Sequence, residues 1–207
     1  MTQFDAIVIG TGQSGPALAR ELAGEGWRVA VVERHRFGGT CVNTGCIPTK
    51  AMIASARAIH QARRGEEFGF TIRGGVSADL KAIMARKNAI VAKSSQGVER
   101  GLEKQCTVIH GHARFTGPHE IEVGGQQVRA DKIFINVGGR ARIPDFPGTD
   151  SVPFVTNSSL LDLDVLPEHL IVVGGSYVGL EFAQIFRRFG SRVSVIEKSD
   201  RIVAKED

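Results

Sequence analysis

An α/β fold, two parallel strand–helix–strand units with a small antiparallel meander between them, is what this 207-residue chain predicts. Three observations carry it. Twice an apolar run ends in a glycine-rich turn, Gly10-Thr11-Gly12-Gln13-Ser14-Gly15 and Gly174-Gly175-Ser176-Tyr177-Val178-Gly179. Each turn is followed by an amphipathic stretch, a second apolar run and a closing acid, Glu33 in the first copy and Glu197 in the second. Between the copies lie short β-prone runs separated by Gly117-Pro118 and Gly124-Gly125. Strands alternating with helical patterns form parallel sheets, and glycines and an acid in this order are the Rossmann-like arrangement for binding a dinucleotide.

The first unit opens with Phe4 to Ile9 as a strand and runs through the turn into a helix ending near Gly24. Gly10 permits the tight turn, Gly12 lets backbone approach a pyrophosphate, and Gly15 lets helix pack on strand. Pro16 falls in the first helical turn, where its missing N–H costs nothing. Arg28 to Val32 is the second strand, and Glu33 at its end is placed to bind ribose hydroxyls. Two helices follow, about Thr49 to Arg64 and about Asp79 to Lys104. Cys106 to His110, Ala113 to Thr116, Glu120 to Val123 and Gln127 to Ala130 read as the meander. Lys132 to Val137 is a separate buried strand leading into Gly138, and Pro144 to Leu166 reads as a crossing between domains, punctuated by Pro144, Pro147 and Pro153. The second unit takes His169 to Val173 as a strand, Leu180 to Phe189 as a helix and Arg192 to Ile196 as the next strand. Ser176 stands where the middle glycine belongs, so this site must accommodate a side chain, whose hydroxyl is a candidate donor to phosphate.

Chemistry beyond nucleotide binding rests on the segment from Gly38 to Lys50, where Cys41 and Cys46 stand with four residues between them. On a regular helix their Cα atoms would be roughly 8 to 9 Å apart, beyond the ~7 Å limit for a disulfide. If the two bond, the chain must turn between them, and Gly45 allows that. Ala51, Ile53, Ala54, Ala58 and Ile59 continue as an apolar-periodic stretch, which places Cys46 near a helix N-terminus, where the dipole favours a thiolate. A catalytic dithiol is the leading reading. A pair of inert buried cysteines and a zinc half-site are the others, the latter against zinc's preference for closer spacings and a second ligand pair.

This segment resembles the active-site signature of the flavin-dependent pyridine nucleotide-disulfide oxidoreductases, the family of lipoamide dehydrogenase, glutathione reductase and mercuric reductase, and the likeness extends to both glycine fingerprints. It implies an FAD-dependent NAD(P)H oxidoreductase that passes electrons through a Cys41–Cys46 disulfide to a small-molecule or protein-bound disulfide, or to mercuric ion. By that likeness Cys41 exchanges with substrate and Cys46 lies next to the flavin. Lys50 is the lysine near flavin N5, Glu181 is its carboxylate partner, and Tyr177, four residues before Glu181 on one helix face, gates the nicotinamide pocket. Because the dithiol follows it at once, the first site would hold FAD, through Gly10, Gly12, Gly15, Glu33, Gly39, Thr40 and Gly138. The second, with Gly174, Gly179 and Glu197, would take the nicotinamide cofactor. Glu197 favours NADH, since a carboxylate binds a 2′-hydroxyl and repels a 2′-phosphate, while Lys198 keeps NADPH open. Where the family pattern has Ala-Thr-Gly this chain has Asn136-Val137-Gly138, which weakens any hydrogen bond carried by the threonine.

The resulting expectation is an FAD-binding domain over residues 1–149 and an incomplete NAD(P)-binding domain over residues 150–207, together the N-terminal part of a larger homodimeric enzyme. The 207 residues alone are expected to be inactive. The alternative is a truncated FAD-binding module without turnover.

Composition excludes other classes. Hydrophobic residues at 42% and charged residues at 23% are those of a soluble globular protein, and no run reaches the ~18 apolar residues of a membrane span. The N-terminus shows no signal-peptide pattern, so a cytoplasmic location is expected. A net charge of +4 raises nucleic acid as a partner, with Lys81, Arg86, Lys87, Lys93, Arg100 and Lys104 in one region. Glu99 and Glu103 interleave with them at helical spacing and stacking aromatics are absent, so a solvated helix face is expected and no nucleic acid. His110 and His112 share a strand face, but no third ligand is spaced to complete a metal site. Cys106 reads as packing.

Overall fold

A computed structural model describes residues 2–203. The chain forms two compact units, one ending at Ile47 and resumed over Val91–Phe146, the other over Pro48–Ile90 and from Pro147 onward.

The first unit is built on one six-stranded sheet in the order β3-β2-β1-β6-β5-β4. Its strands are β1 (Thr2–Ile9), β2 (Val29–Glu33), β3 (Thr107–His110), β4 (Ala113–Gly117), β5 (Glu120–Val123) and β6 (Gln126–Ile135). Helix α1 spans Ser14–Gly24. β1 is central because it is apolar on both faces, and strands covered on both sides read as continuous apolar runs. Ile7 and Ile9 point to the side of Ala30, Val32, Ile121 and Val128. Ala6 and Val8 point to the side of Val29, Val31, Phe37, Ala19 of α1 and Leu102.

Two sequence expectations are corrected here. The run from Cys106 to His110 is not part of the meander: β3 pairs parallel with β2, Ala30 opposite Thr107. A long crossover returns the chain in the same direction, whereas a hairpin reverses it, and β3 is reached by a crossover. The runs from Gln127 to Ala130 and from Lys132 to Val137 are one strand, β6. It runs parallel to β1 from Val128 to Ile135, Ile133 opposite Ile7, and its first residues, Gln126 to Arg129, also pair antiparallel with β5 on the other side, Val128 opposite Ile121. Ala130-Asp131-Lys132 contains no glycine or proline, so nothing breaks the extended chain between the two runs.

The second unit has a two-stranded parallel sheet of β7 (His169–Val173) and β8 (Arg192–Ile196), Leu170 opposite Val193. It is covered by α5 (Tyr177–Phe189), whose Phe182, Ile185, Phe186 and Phe189 are buried. Helices α3 (Cys46–Arg63) and α4 (Leu80–Glu103) are shared along the chain between the two units, Pro48 to Arg63 and Leu80 to Ile90 falling in the second. The core joins the α5 residues to Met52 and Ala56 of α3, Leu80, Ile83 and Met84 of α4, and Leu160 and Leu161. The crossing segment therefore contributes core: its 3-10 turn Ser159–Asp162 inserts both leucines. α5 starts at Tyr177, three residues before the expected Leu180, with Ser176 extended at its cap (φ −81, ψ 173).

The basic stretch is also not wholly solvated. Positions 80, 83, 84, 87 and 91 of α4 form one buried stripe at helical period, and Lys87 falls in it. It is 3% exposed and its Nζ donates to the Leu161 carbonyl. Lys81, Arg86, Lys93, Arg100 and Lys104 are exposed, and Arg86 Nη1 donates to the Ala51 carbonyl at 2.9 Å. Among the described residues no helix is long and apolar enough to cross a membrane.

Candidate active site

In the first unit β1 and β6 end side by side, with the Asn136 amide donating to the Ile9 carbonyl at 2.8 Å. β2 lies on one side of β1 and β6 on the other, the switch point at which open α/β sheets bind ligands. Gly10 has φ +98, and a Cβ there would lie 2.2 Å from the Asn136 carbonyl oxygen. A Cβ at Gly15 would lie 2.3 Å from the Gly10 carbonyl oxygen, so the first turn of α1 rests on the end of β1. Gly12 differs: its nearest neighbour, Asn136 Nδ2, is 3.4 Å from the Cβ position, so packing alone does not exclude a side chain. No side chain caps α1; the Gly15 amide donates to the Gly12 carbonyl at 3.1 Å, and the other N–H groups of the first turn have no side-chain acceptor, which suits an anion.

Glu33, closing β2, has its Oε2 engaged by the Thr11 amide at 3.0 Å and the Thr11 hydroxyl at 2.6 Å, while Oε1 accepts from the His35 amide at 3.0 Å. Thr11 Oγ1 also accepts from the Gly38 amide at 3.1 Å, and Thr11 is 1% exposed. Asn136 Nδ2 donates to the Gly10 carbonyl at 3.4 Å, so the departure from Ala-Thr-Gly brings a side-chain bond of its own to the glycine turn. Sequence reasoning missed Thr11 and Asn136 as site residues. Each is one residue past a strand or within a turn, and its role depends on neighbours distant along the chain.

The cysteines occupy consecutive helices, one short and one long. α2 (Gly39–Asn43) carries Cys41, Thr44 breaks the helix (φ −139, ψ 16), and α3 begins at Cys46. The chain thus turns between the two, and Gly45 contributes space: its Cβ position is 3.0 Å from the Thr40 carbonyl oxygen and 3.4 Å from the Cys41 Cα. Gly39 (φ +59) packs on the nucleotide turn, its Cβ position only 2.6 Å from the Gly12 Cα. Thr40 is exposed, and Gly138, just past β6, has φ +69 with open space around it. Asn43 Nδ2 donates to the Phe37 carbonyl at 2.9 Å and the Gly39 carbonyl at 3.0 Å, while its buried Oδ1 accepts from no protein group.

Cys41 and Cys46 are both thiols here, the first half-buried and the second exposed. A hydrogen bond to the Cys46 sulfur, then burial, then the nearby Cys46 charge push the Cys41 thiol above the usual range, against a bond from the Cys46 amide that pulls it down. In the reduced protein the alkylation rate of Cys41 is expected to rise through a midpoint above the ordinary thiol value of about 8.5, and Cys46→Ser, which removes the neighbouring negative charge, is expected to lower it. Peptide-resolved iodoacetamide labelling across pH reads both, and a midpoint at or below the ordinary value counts against this geometry. Cys106 is half-buried, its Sγ donating to the Ala19 carbonyl at 3.6 Å, and burial pushes its thiol up as well.

The second unit repeats the nucleotide turn. Gly174 has φ +109, its amide donates to Ile196 O at 2.8 Å as that of Gly10 does to Val32 O, and the Cβ position of Gly179 is 2.2 Å from the Gly174 carbonyl oxygen. The Gly175 amide donates to Glu197 Oε2 at 2.7 Å and the Ser199 amide to Oε1 at 2.9 Å. These bonds, that from Ser199 foremost, hold the Glu197 carboxyl below the usual carboxylate range. Ser176 is exposed and its hydroxyl makes no cap bond. Lys50, one turn along α3 from Cys46, forms an ion pair with Glu181 of α5, 131 residues away in sequence. Tyr177 opens α5 and is 63% exposed. Among the described residues no group of three His, Cys, Asp or Glu side chains could hold a metal ion, and His110 Nε2 lies 3.2 Å from Glu99 Oε1.

Known proteins share this arrangement. The chain is 36% identical to the probable pyridine nucleotide-disulfide oxidoreductase RclA of Escherichia coli strain K12, over 100% of this chain and 45% of that protein. It is 38% identical to the dihydrolipoyl dehydrogenase of Chlamydia pneumoniae (99% and 45%) and 35% identical to the mercuric reductase of Streptomyces lividans (100% and 45%). Among solved structures, the Cu(II) complex of the HOCl-induced flavoprotein disulfide reductase RclA of Escherichia coli superposes with a TM-score of 0.85 at 35% identity, covering 100% of this chain and 45% of that one. The chain thus spans about half the length of these relatives. Residues 4–207 match the model of the pyridine nucleotide-disulphide oxidoreductases, and the chain belongs to that family.

Proposed function

We propose that the intact protein is an FAD-dependent NAD(P)H oxidoreductase whose Cys41 and Cys46, as a redox-active disulfide, pass two electrons to a disulfide substrate. The observation that carries this is the contact of the dithiol turn with the first nucleotide turn, Gly39 against Gly12 and the Gly38 amide on Thr11. FAD fits the groups present: an uncapped helix N-terminus for pyrophosphate, a bare backbone at Gly12, and one acceptor site left on Glu33 Oε1 for a ribose hydroxyl. When bound, FAD supplies the two-electron relay between nicotinamide and sulfur. Two electrons and two protons convert the Cys41–Cys46 disulfide to two thiols. As thiolate, Cys41 attacks one sulfur of the substrate and expels the other as a thiol, and Cys46 then attacks the mixed disulfide, restoring the intrachain bond and releasing the second thiol.

Lys50, paired with Glu181, is assigned the flavin-proximal position near N5, and Tyr177 the cover of the nicotinamide pocket, both from the family likeness. Each oxygen of Glu197 accepts one protein bond, so each retains an acceptor site for the 2′- and 3′-hydroxyls of an adenosine ribose. A carboxylate held ionised in that place repels a 2′-phosphate, which favours NADH. In this reading flavin binding occupies residues 1–149 and nicotinamide binding the residues from 150 on. The protein acts as a homodimer in the cytoplasm, where a close cysteine pair is catalytic more often than structural. Reduction of mercuric ion is the second reading, favoured by the mercuric reductase among the relatives.

The test is the visible spectrum of the purified intact protein before and after reduction by NADH or NADPH. A flavin spectrum that gains a long-wavelength band on two-electron reduction, more readily with NADH, is expected. A protein that stays colourless after incubation with FAD overturns the reading.

A further inference from the structure

We propose that Thr11 is a positioning residue that couples occupancy of the first nucleotide site to the dithiol turn. The inference rests on the reading of that site as a ribose and pyrophosphate site. The Thr11 hydroxyl is the single link in a short chain of hydrogen bonds: it donates to Glu33 Oε2 at 2.6 Å and accepts from the Gly38 amide at 3.1 Å. Gly38 caps α2, the helix that carries Cys41. The turn has little slack, because Gly38 adopts φ +97 and the Val42 side chain lies 2.4 Å from where its Cβ would be. A ribose hydroxyl arriving on the free side of Glu33 draws on the same carboxylate charge that holds the Thr11 proton. Hydrogen bonds in such a chain polarise one another, so the ligand alters how firmly the Gly38 amide is held. By linkage the dithiol turn acts back on the nucleotide by the same factor.

The second fingerprint is an internal control. Gly175 holds the matching place: its amide reaches the acid 22 residues on, Glu197 Oε2, at 2.7 Å, as the Thr11 amide reaches Glu33 over the same interval. A side chain there would be crowded, since a Cβ would lie 2.8 Å from Ile202 Cγ2 and 3.2 Å from Glu197 Cβ. The bond from amide to acid is common to both copies. The hydroxyl bridge occurs in the copy whose following loop carries the cysteines, and no fingerprint glycine could supply it.

The experiment labels reduced, flavin-free protein with iodoacetamide and follows Cys41 by peptide mass spectrometry, with and without ADP. ADP carries the ribose and pyrophosphate but no isoalloxazine, so it cannot shield the thiols directly. Because the ribose hydroxyl weakens the pull of Glu33 on the Thr11 proton and so loosens the Gly38 amide, ADP is expected to speed Cys41 alkylation in the wild type by about five- to tenfold. Without ligand, Thr11→Val, which leaves the buried Gly38 amide without its acceptor, is expected to label several-fold faster than wild type, and ADP is expected to leave its rate unchanged. Thr11→Ser restores both behaviours, which a purely space-filling role would not. Thr11→Gly, which copies the second fingerprint, serves if the valine variant does not fold. Equal rates for wild type and Thr11→Val or Thr11→Gly without ligand overturn the tether, and a variant that binds ADP and responds to it as wild type does overturns the coupling. A wild type that binds neither ADP nor FAD overturns the reading of the site and the coupling with it, while the rates without ligand still decide the tether.

Discussion

Cys46→Ser in the intact protein is expected to lose NAD(P)H-dependent disulfide reduction by about three orders of magnitude or more, with FAD still bound. Cys46 stands exposed at the first residue of α3. A serine there cannot close the intrachain bond, so a mixed disulfide formed on Cys41 has no internal thiol to resolve it. Cys106 cannot substitute, because its half-buried sulfur is turned to the Ala19 carbonyl. Flavin retention is expected because the glycine turn, the start of α1 and Glu33 make no bond to the Cys46 side chain. Removing an exposed sulfur should change stability by no more than about 0.5 kcal/mol. Reduction at wild-type rate would remove the dithiol from the mechanism, and loss of flavin from a folded variant would show that Cys46 supports the cofactor site.

Gly10→Ala is expected to lower unfolding free energy by roughly 3 kcal/mol or more and to yield protein free of FAD. Two costs coincide at this residue: φ +98, outside the conformations alanine favours, and a Cβ position 2.2 Å from the Asn136 carbonyl oxygen, which is backbone and cannot rotate away. Relief requires β1 and β6 to part at the site where they jointly hold the nucleotide turn. Gly174→Ala separates the costs, because Gly174 has φ +109 with nothing within 4 Å of its Cβ position. It should lose only the conformational part, about 1–3 kcal/mol. Gly24→Ala, at the end of α1 with nothing within 4 Å, should be neutral or slightly stabilising. Urea unfolding of the three variants gives the order directly, and a Gly10→Ala protein as stable as Gly24→Ala would contradict the packing described.

Local chemistry made much of this protein legible. The glycine turns, the acids that close β2 and β8 and the helix that starts at Cys46 are set by interactions within a few residues, so apolar period and turn chemistry suffice to place them. β7 and β8 fall on the residues that their apolar runs indicate. Errors arose where a partner from elsewhere decides. The run before Ala113 joined β2 as a parallel edge strand, and β6 absorbed two apparent strands because β1 pairs with it from Val128 to Ile135. Lys87, polar by type, is buried by its place in the α4 stripe.

Pattern thus specifies which groups exist and on which kind of element each sits. The pairing of Lys50 with Glu181 across 131 residues, the Asn136 amide against Gly10, and the Thr11 hydroxyl shared between Glu33 and Gly38 follow only from packing. A side chain's own period records which face it occupies but carries no trace of what a distant segment will set against it. A threonine inside a glycine fingerprint therefore looks incidental along the chain, and becomes a link between acid and dithiol only once β1, β2 and α2 meet.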